Sequence, residues 1–282
     1  MKFKNNIDFC IWKCYFKYVN VLPKKAEEGR GVFVTNIIIN ADDFGYCEGV
    51  NQGIISAYKN GVVTSCSIMA GMPGFNQAVK LLNENKGLGC GVHMTLSCYK
   101  PVLDTHKTLV DESGYFFRRI TKEKAMEFDL DEVYLELCAQ IDKAIGAGVK
   151  ISHLDSHHHI HTLEEFRPVI EKILEKYKLP IRGGFEYEIS YDKVVPLIDS
   201  FYGDNISGDY FNNNIDDIKK FKVVDIMSHP AFVDAFLSKS TSYSTQRTLE
   251  HEILTSFELK QFFEDNNINL INYNNIGESE GI

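Results

Sequence analysis

The sequence predicts an α/β fold in which parallel strands alternate with helices, and the expected architecture is a single-domain (β/α) barrel. Three observations lead there. Short β-branched runs alternate with helical patterns from residue 36 onward. About seven such strands over roughly 240 residues suit a closed or incomplete barrel better than a small doubly wound sheet, which is the alternative. Acidic and histidine residues fall where predicted strands end, and in a barrel those ends form one face.

The elements follow in order. Residues 36–40, with three consecutive isoleucines, read as a buried strand, and 49–60 as a helix ending at Gly61. Residues 62–69 read as a strand, 74–84 as a helix and 89–96 as a third strand. Residues 130–147 form a strong helix stopped by Gly146 and Gly148, followed by a strand at 150–154 and a helix at 164–177. A short strand is expected at 180–182, another at 223–227, a helical stretch at 246–262 and a last strand at 268–273. Two connections, 97–128 and 183–217, are long and rich in aromatic residues. Long loops in compact domains usually carry function, although most of the rings would simply fill space beneath them.

Composition sets bounds. At 282 residues, 44% hydrophobic and 24% charged, the chain can bury a sizeable core. A net charge of −9 argues against nucleic-acid binding, which needs clustered Lys and Arg. The seven cysteines are odd in number and form no CxxC pair, so free thiols in a reducing, cytoplasmic setting are expected. No apolar run reaches the roughly 20 residues of a membrane span. Residues 1–35 carry a net charge of +4 against −13 for the remainder. They read as a basic-aromatic segment that touches a membrane surface or, preferred, as translated sequence upstream of a true start near Val34. An intact mass beginning at Met1 in the natively expressed protein would rule out the second reading.

Four features carry chemistry. In Asn40-Ala41-Asp42-Asp43-Phe44-Gly45 two acids follow a buried strand. One could cap the next helix, but two adjacent carboxylates repel unless something such as a metal neutralises them. His93, in Gly91-Val92-His93-Met94-Thr95-Leu96, would alone be read as a hydrogen-bonded core histidine. Residues 152–161 hold five histidines (His153, His157, His158, His159 and His161) together with Asp155. Packing rarely demands this, because each buried imidazole needs partners, whereas neutral imidazole is the commonest metal ligand. Ser228-His229-Pro230 ends another strand. Together these features imply a metal site at one barrel face.

These motifs, with Ser242-Tyr243 and Arg247 near the C-terminus, resemble the YdjC/ChbG-like carbohydrate deacetylases, which are related to NodB-type polysaccharide deacetylases. The resemblance runs from about Val34 to the C-terminal helix. It implies a deformed (β/α), TIM-like barrel over 34–282, with 1–33 as an extension that the family pattern does not require. It also implies a divalent ion, magnesium by preference with zinc compatible, held by Asp43, His93 and His157. Asp42 is the expected general base and His229 the expected acid. Arg182 is expected to orient Asp42, and His153, Asp155 and His161 to support the site or touch substrate. The substrate is expected to be an N-acetylated, chitooligosaccharide-type sugar, and the assembly a homodimer. A metal-dependent phosphoesterase and a sugar-binding protein with a decayed site are the alternatives.

Overall fold

The computed structural model describes residues 34–276, so the expectations for residues 1–33 lie outside the described residues. The first strand, β1 (Thr35–Phe44), is built from the Ile37-Ile38-Ile39 run, and all three side chains are fully buried. The strands that follow are β2 (Ser65–Ile68), β3 (Gly89–Met94), β4 (Ile151–Ser156), β5 (Ile181–Arg182), β6 (Val194–Val195), β7 (Leu197–Ile198), β8 (Val223–Ser228) and β9 (Ile268–Leu270). Their order in the sheet is β6-β5-β4-β3-β2-β1-β8-β7, with β9 beside the start of β1, and the paired neighbours run parallel.

The sheet nearly closes on itself through a stretch that sequence patterning did not expose. β6 and β7 flank Pro196, inside what was expected to be an irregular connection. The Gly183 N–H donates to the Val195 carbonyl at 2.7 Å and the Asp225 N–H to the Pro196 carbonyl at 2.8 Å. One extended segment therefore pairs with β5 on one side and with β8 on the other. Pro196 is tolerated because it offers only its carbonyl to the ladder. The result is a deformed (β/α) barrel, as expected, with helices around a parallel sheet.

The helices follow their sequence signals closely. Leu130–Gly146 is capped by Asp129, whose carboxylate accepts from the Asp131 and Glu132 N–H groups. It ends where Gly148 takes a left-handed φ of +85°. The 246–262 stretch is broken into Thr245–Thr255 and Phe257–Asp265 by Ser256, which caps the second helix through the Leu259 N–H. The helix Arg167–Tyr177 is preceded by a short 3-10 turn over Glu164–Phe166. No described helix is long and apolar enough to cross a membrane.

Close packing fixes the loop after β8. A Cβ on Gly53, in the helix Glu48–Asn60, would lie 2.4 Å from the Ala231 Cα. The Phe232 N–H also donates to the Gly49 carbonyl. Gly53→Ala is therefore expected to lower stability by more than ~2 kcal/mol, because backbone rather than a flexible side chain would have to move. A urea midpoint equal to that of the native protein would contradict this packing.

Candidate metal centre and active site

All the singled-out strand ends lie on the same rim because the strands are parallel. Strict alternation would send Asp42 and Asp43 to opposite faces of β1. The register of β1 against β2 shifts between Ala41 and Phe44, and Asp43 adopts a left-handed φ of 69°. For a residue with a Cβ this costs about 1–2 kcal/mol. The surroundings hold it: the Tyr46 N–H donates to the Asp43 carbonyl, Met69 N–H to the Phe44 carbonyl, and Gly45 N–H to Asn51 Oδ1 at 2.6 Å. The bulge brings both carboxylates into one site, within the last residues of the strand rather than just past its end.

Asp43 Oδ1 stands 2.9 Å from His157 Nδ1 and 3.4 Å from His93 Nε2. It is buried with no hydrogen-bond donor among the described residues. Donors about 2.1 Å from one ion, at tetrahedral to octahedral angles, lie roughly 3.0–3.4 Å apart. The two separations from Asp43 Oδ1 match that spacing, the three residues offer ligand atoms within 4.8 Å of one another, and the buried oxygen lacks another partner, so the group could hold a divalent ion. His93 Nδ1 lies 2.9 Å from Asp155 Oδ1, which leaves Nε2 for the ion, the carboxylate–histidine–metal arrangement.

Behind these candidate ligands sits Arg182, fully buried at the end of β5. Its Nη1 and Nη2 donate to the two Asp42 oxygens at 2.7 and 2.8 Å. Nη1 is also 3.0 Å from Asp155 Oδ2, and Nε donates to Asp225 Oδ2 at 2.7 Å. A second arginine approaches from the helix Thr245–Thr255, where Arg247 Nη2 donates to Asp43 Oδ2 at 2.6 Å. Burial disfavours the Asp42 carboxylate, but Arg182 and His93 outweigh it and hold its pKa below the usual range. Asp43 is likewise held well below, against burial, by His157 and Arg247. Burial lowers the basicity of His93, yet Asp155 and Asp42 push it up to about 10. An ion bound through His93 would have to displace that proton, so its affinity would fall as pH falls.

The other histidines of the cluster do different work. His158 and His159 both take left-handed backbone angles, and His158 Nδ1 is 2.9 Å from the Ser97 hydroxyl. His161 accepts from or donates to Ser156 Oγ at Nδ1, and its Nε2 lies 3.0 Å from the Arg182 carbonyl, which ties β4 to β5 behind the site. His153 lies below the candidate ligands, stacked on Tyr273 at 3.6 Å and against Gly91, where a Cβ would come within 2.5 Å of its ring. His229 directly follows β8 and lies edge-on to Tyr202 and Tyr243, whose rings stack on each other at 4.3 Å. Arg247 had been noted only as part of a motif. Asn40 and Tyr243 also stand in those motifs without an assigned role, and the sequence assigns none to Ser67, Asp225 or Glu250. Two charged residues one turn apart in a helix, Arg247 and Glu250, were the available signal, but an exposed face gives the same pattern.

A scan of family models matches residues 36–265 to the YdjC-like protein family. The chain belongs to that family. It is 38% identical over 248 residues to a carbohydrate deacetylase of Brevibacillus brevis, which covers 86% of this chain and 99% of the relative. It is also 38% identical over 240 residues to a carbohydrate deacetylase of Geobacillus stearothermophilus, covering 84% and 96%. Among solved structures, a protein from Enterococcus faecalis V583 superposes with a TM-score of 0.79 at 36% identity, covering 86% of this chain and 98% of that one. That protein carries the provisional description of a cellobiose-phosphate cleavage protein.

The cluster histidines, of which His153 and His161 are buried, His159 half-buried and His158 exposed, make stability depend on pH. Burial pushes His153 and His161 down to about 3 and His159 down to about 4, while neighbouring His157 with burial takes His158 to about 3. Between those values and about 6.5 the unfolded chain binds protons that the fold refuses, so stability falls with falling pH. Asp225, raised by burial to about 6, acts in the opposite sense between about 4 and 6, but it is one group against four. Metal-free protein should therefore lose urea resistance between pH 6.5 and pH 5. A gain over that interval would show that these rings are protonated in the fold.

Proposed function

We propose that the chain is a metal-dependent deacetylase of N-acetylated, chitooligosaccharide-type sugars, which releases acetate and a free amino sugar. Membership of the YdjC-like family and 38% identity to curated carbohydrate deacetylases over nearly their whole length support an enzyme of that class. The observation that carries the metal dependence is the convergence of Asp43 Oδ1, His93 Nε2 and His157 Nδ1 on one point, with Asp42 alongside.

A divalent ion there supplies Lewis acidity that activates water and polarises the acetamide carbonyl. Magnesium is the preferred ion and zinc is compatible with the mixed oxygen and nitrogen donors. Asp42 receives the proton of the attacking water, because its carboxylate is ionised and fixed by two Arg182 hydrogen bonds. Arg182 is shared among Asp42, Asp155 and Asp225, so it keeps Asp42 charged without neutralising it alone. His229 returns a proton to the departing amine. Tyr202, 44% exposed and 5.5 Å from the His229 ring, offers a flat surface to the sugar on that side. The free cysteines Cys47, Cys66, Cys90, Cys98 and Cys138 accord with a reducing, cytoplasmic setting, and a homodimer belongs to the same proposal.

The deciding experiment is acetate release from di-N-acetylchitobiose and its 6-phosphate, with EDTA and with added magnesium or zinc. Metal-dependent acetate is expected. Phosphate release without acetate would identify a phosphoesterase instead. Within that assay, Asp42→Asn should cut kcat by at least ~100-fold while metal content stays near that of the native protein. His157→Ala should lose the metal together with the activity. An Asp42→Asn protein with most of its turnover would remove the base assignment.

A further inference from the structure

Glu250 is fully buried in the helix Thr245–Thr255, one turn from Arg247. Its Oε2 accepts the His229 backbone N–H, and its Oε1 accepts the Tyr243 hydroxyl at 2.5 Å. The same Oε1 lies 3.8 Å from His229 Nδ1, which is buried and has no hydrogen-bond partner among the described residues. His229 Nε2 makes no hydrogen bond to a described residue. The groups that face the ring are Glu250 from this helix, Tyr243 from the segment before it, and Tyr202 from the loop after β7, while Arg247 lies beside Glu250. Arg247 also donates through Nε to the Tyr243 carbonyl at 3.0 Å, so the framework around His229 is tied to Asp43.

A lone pair on Nδ1 would face the lone pairs of a carboxylate, whereas an N–H there faces an acceptor. The geometry favours the Nδ1–H tautomer, with Nε2 as the position that gains and loses the catalytic proton. We propose that Glu250 is a positioning residue that fixes His229 with Nδ1 turned inward and Nε2 free to hand a proton to the departing amine. Glu250 touches neither the substrate nor the ion. It acts by setting the tautomer and by stabilising the imidazolium before the proton is given up, while Arg247 offsets its charge. This inference rests on the reading of His229 as the acid.

The test combines ring-nitrogen NMR of His229 with kinetics on di-N-acetylchitobiose, using metal-loaded protein. The native neutral ring should carry its proton on Nδ1. In Glu250→Gln the amide oxygen is held by the His229 N–H, so the amide N–H₂ group takes the place of Oε1 and a proton on Nδ1 would face a donor in place of an acceptor. The proton should then move to Nε2, kcat should fall roughly 10- to 100-fold, and KM and metal content should hold within about twofold. Tyr243→Phe keeps the carboxylate, so the Nδ1–H tautomer should persist.

An Nε2–H tautomer in the native protein would overturn the proposal even if Glu250→Gln failed to fold. Unchanged kcat and tautomer in a folded Glu250→Gln protein would do the same. His229→Gln separates this inference from the reading beneath it. Turnover that survives His229→Gln removes the acid assignment and the proposal with it. Turnover lost in His229→Gln but kept in Glu250→Gln removes only the role of Glu250.

Discussion

The site depends on one buried cation. Arg182 lies at the end of a two-residue strand and holds three carboxylates from three other strands, Asp42 of β1, Asp155 of β4 and Asp225 of β8. Three buried acids this close would repel one another, and removing one partner from such a network typically costs several kcal/mol. The guanidinium fork gives Asp42 and Asp225 their own hydrogen bonds and pairs Asp155 through Nη1, with geometry that an ammonium could not reproduce. Tyr273 donates its hydroxyl to Asp225 at 2.5 Å and stacks on His153, so the network extends into the barrel interior. The buried polar groups of the rim are thereby joined to the packed core beneath them.

A second consequence concerns the adjacent acids of β1. Asp42 and Asp43 are consecutive in sequence and share one pocket, yet each is held by a different arginine. Arg182 grips both oxygens of Asp42, whereas Arg247 takes only Oδ2 of Asp43 and leaves Oδ1 directed at two imidazoles. Two chemically identical side chains are thus given different tasks by their partners. One is a fixed, ionised base candidate, and the other is a ligand candidate with an open oxygen. The left-handed backbone at Asp43 makes the division possible, and its conformational cost falls where the site requires it.

Much of this was legible in the sequence where the signal is local. The isoleucine run of β1 and the Gly148 stop each specify their element through nearest neighbours, and the structure places them as the pattern implied. The convergence of Asp42, Asp43, His93 and His157 was legible because parallel strands must present their ends together. What escaped depends on distant partners. β6 and β7 are two residues each and exist only because β5 and β8 flank them. The break at Ser256 lies inside a continuous helical pattern. The bulge at Asp43 is stabilised by Asn51 and Met69, which no short window relates to it. Arg247 and Glu250 resemble surface charges until the fold carries their helix against the site.

The most direct measurement is anomalous diffraction from crystals of the protein soaked with manganese(II), a stand-in for magnesium with a usable anomalous signal. One peak within coordinating distance of Asp43 Oδ1, His93 Nε2 and His157 Nδ1, with Arg182 still bonded to Asp42, is the predicted result. No peak there at millimolar manganese, or an ion held by Asp42 in place of Asp43, would contradict the division of labour on which the account rests.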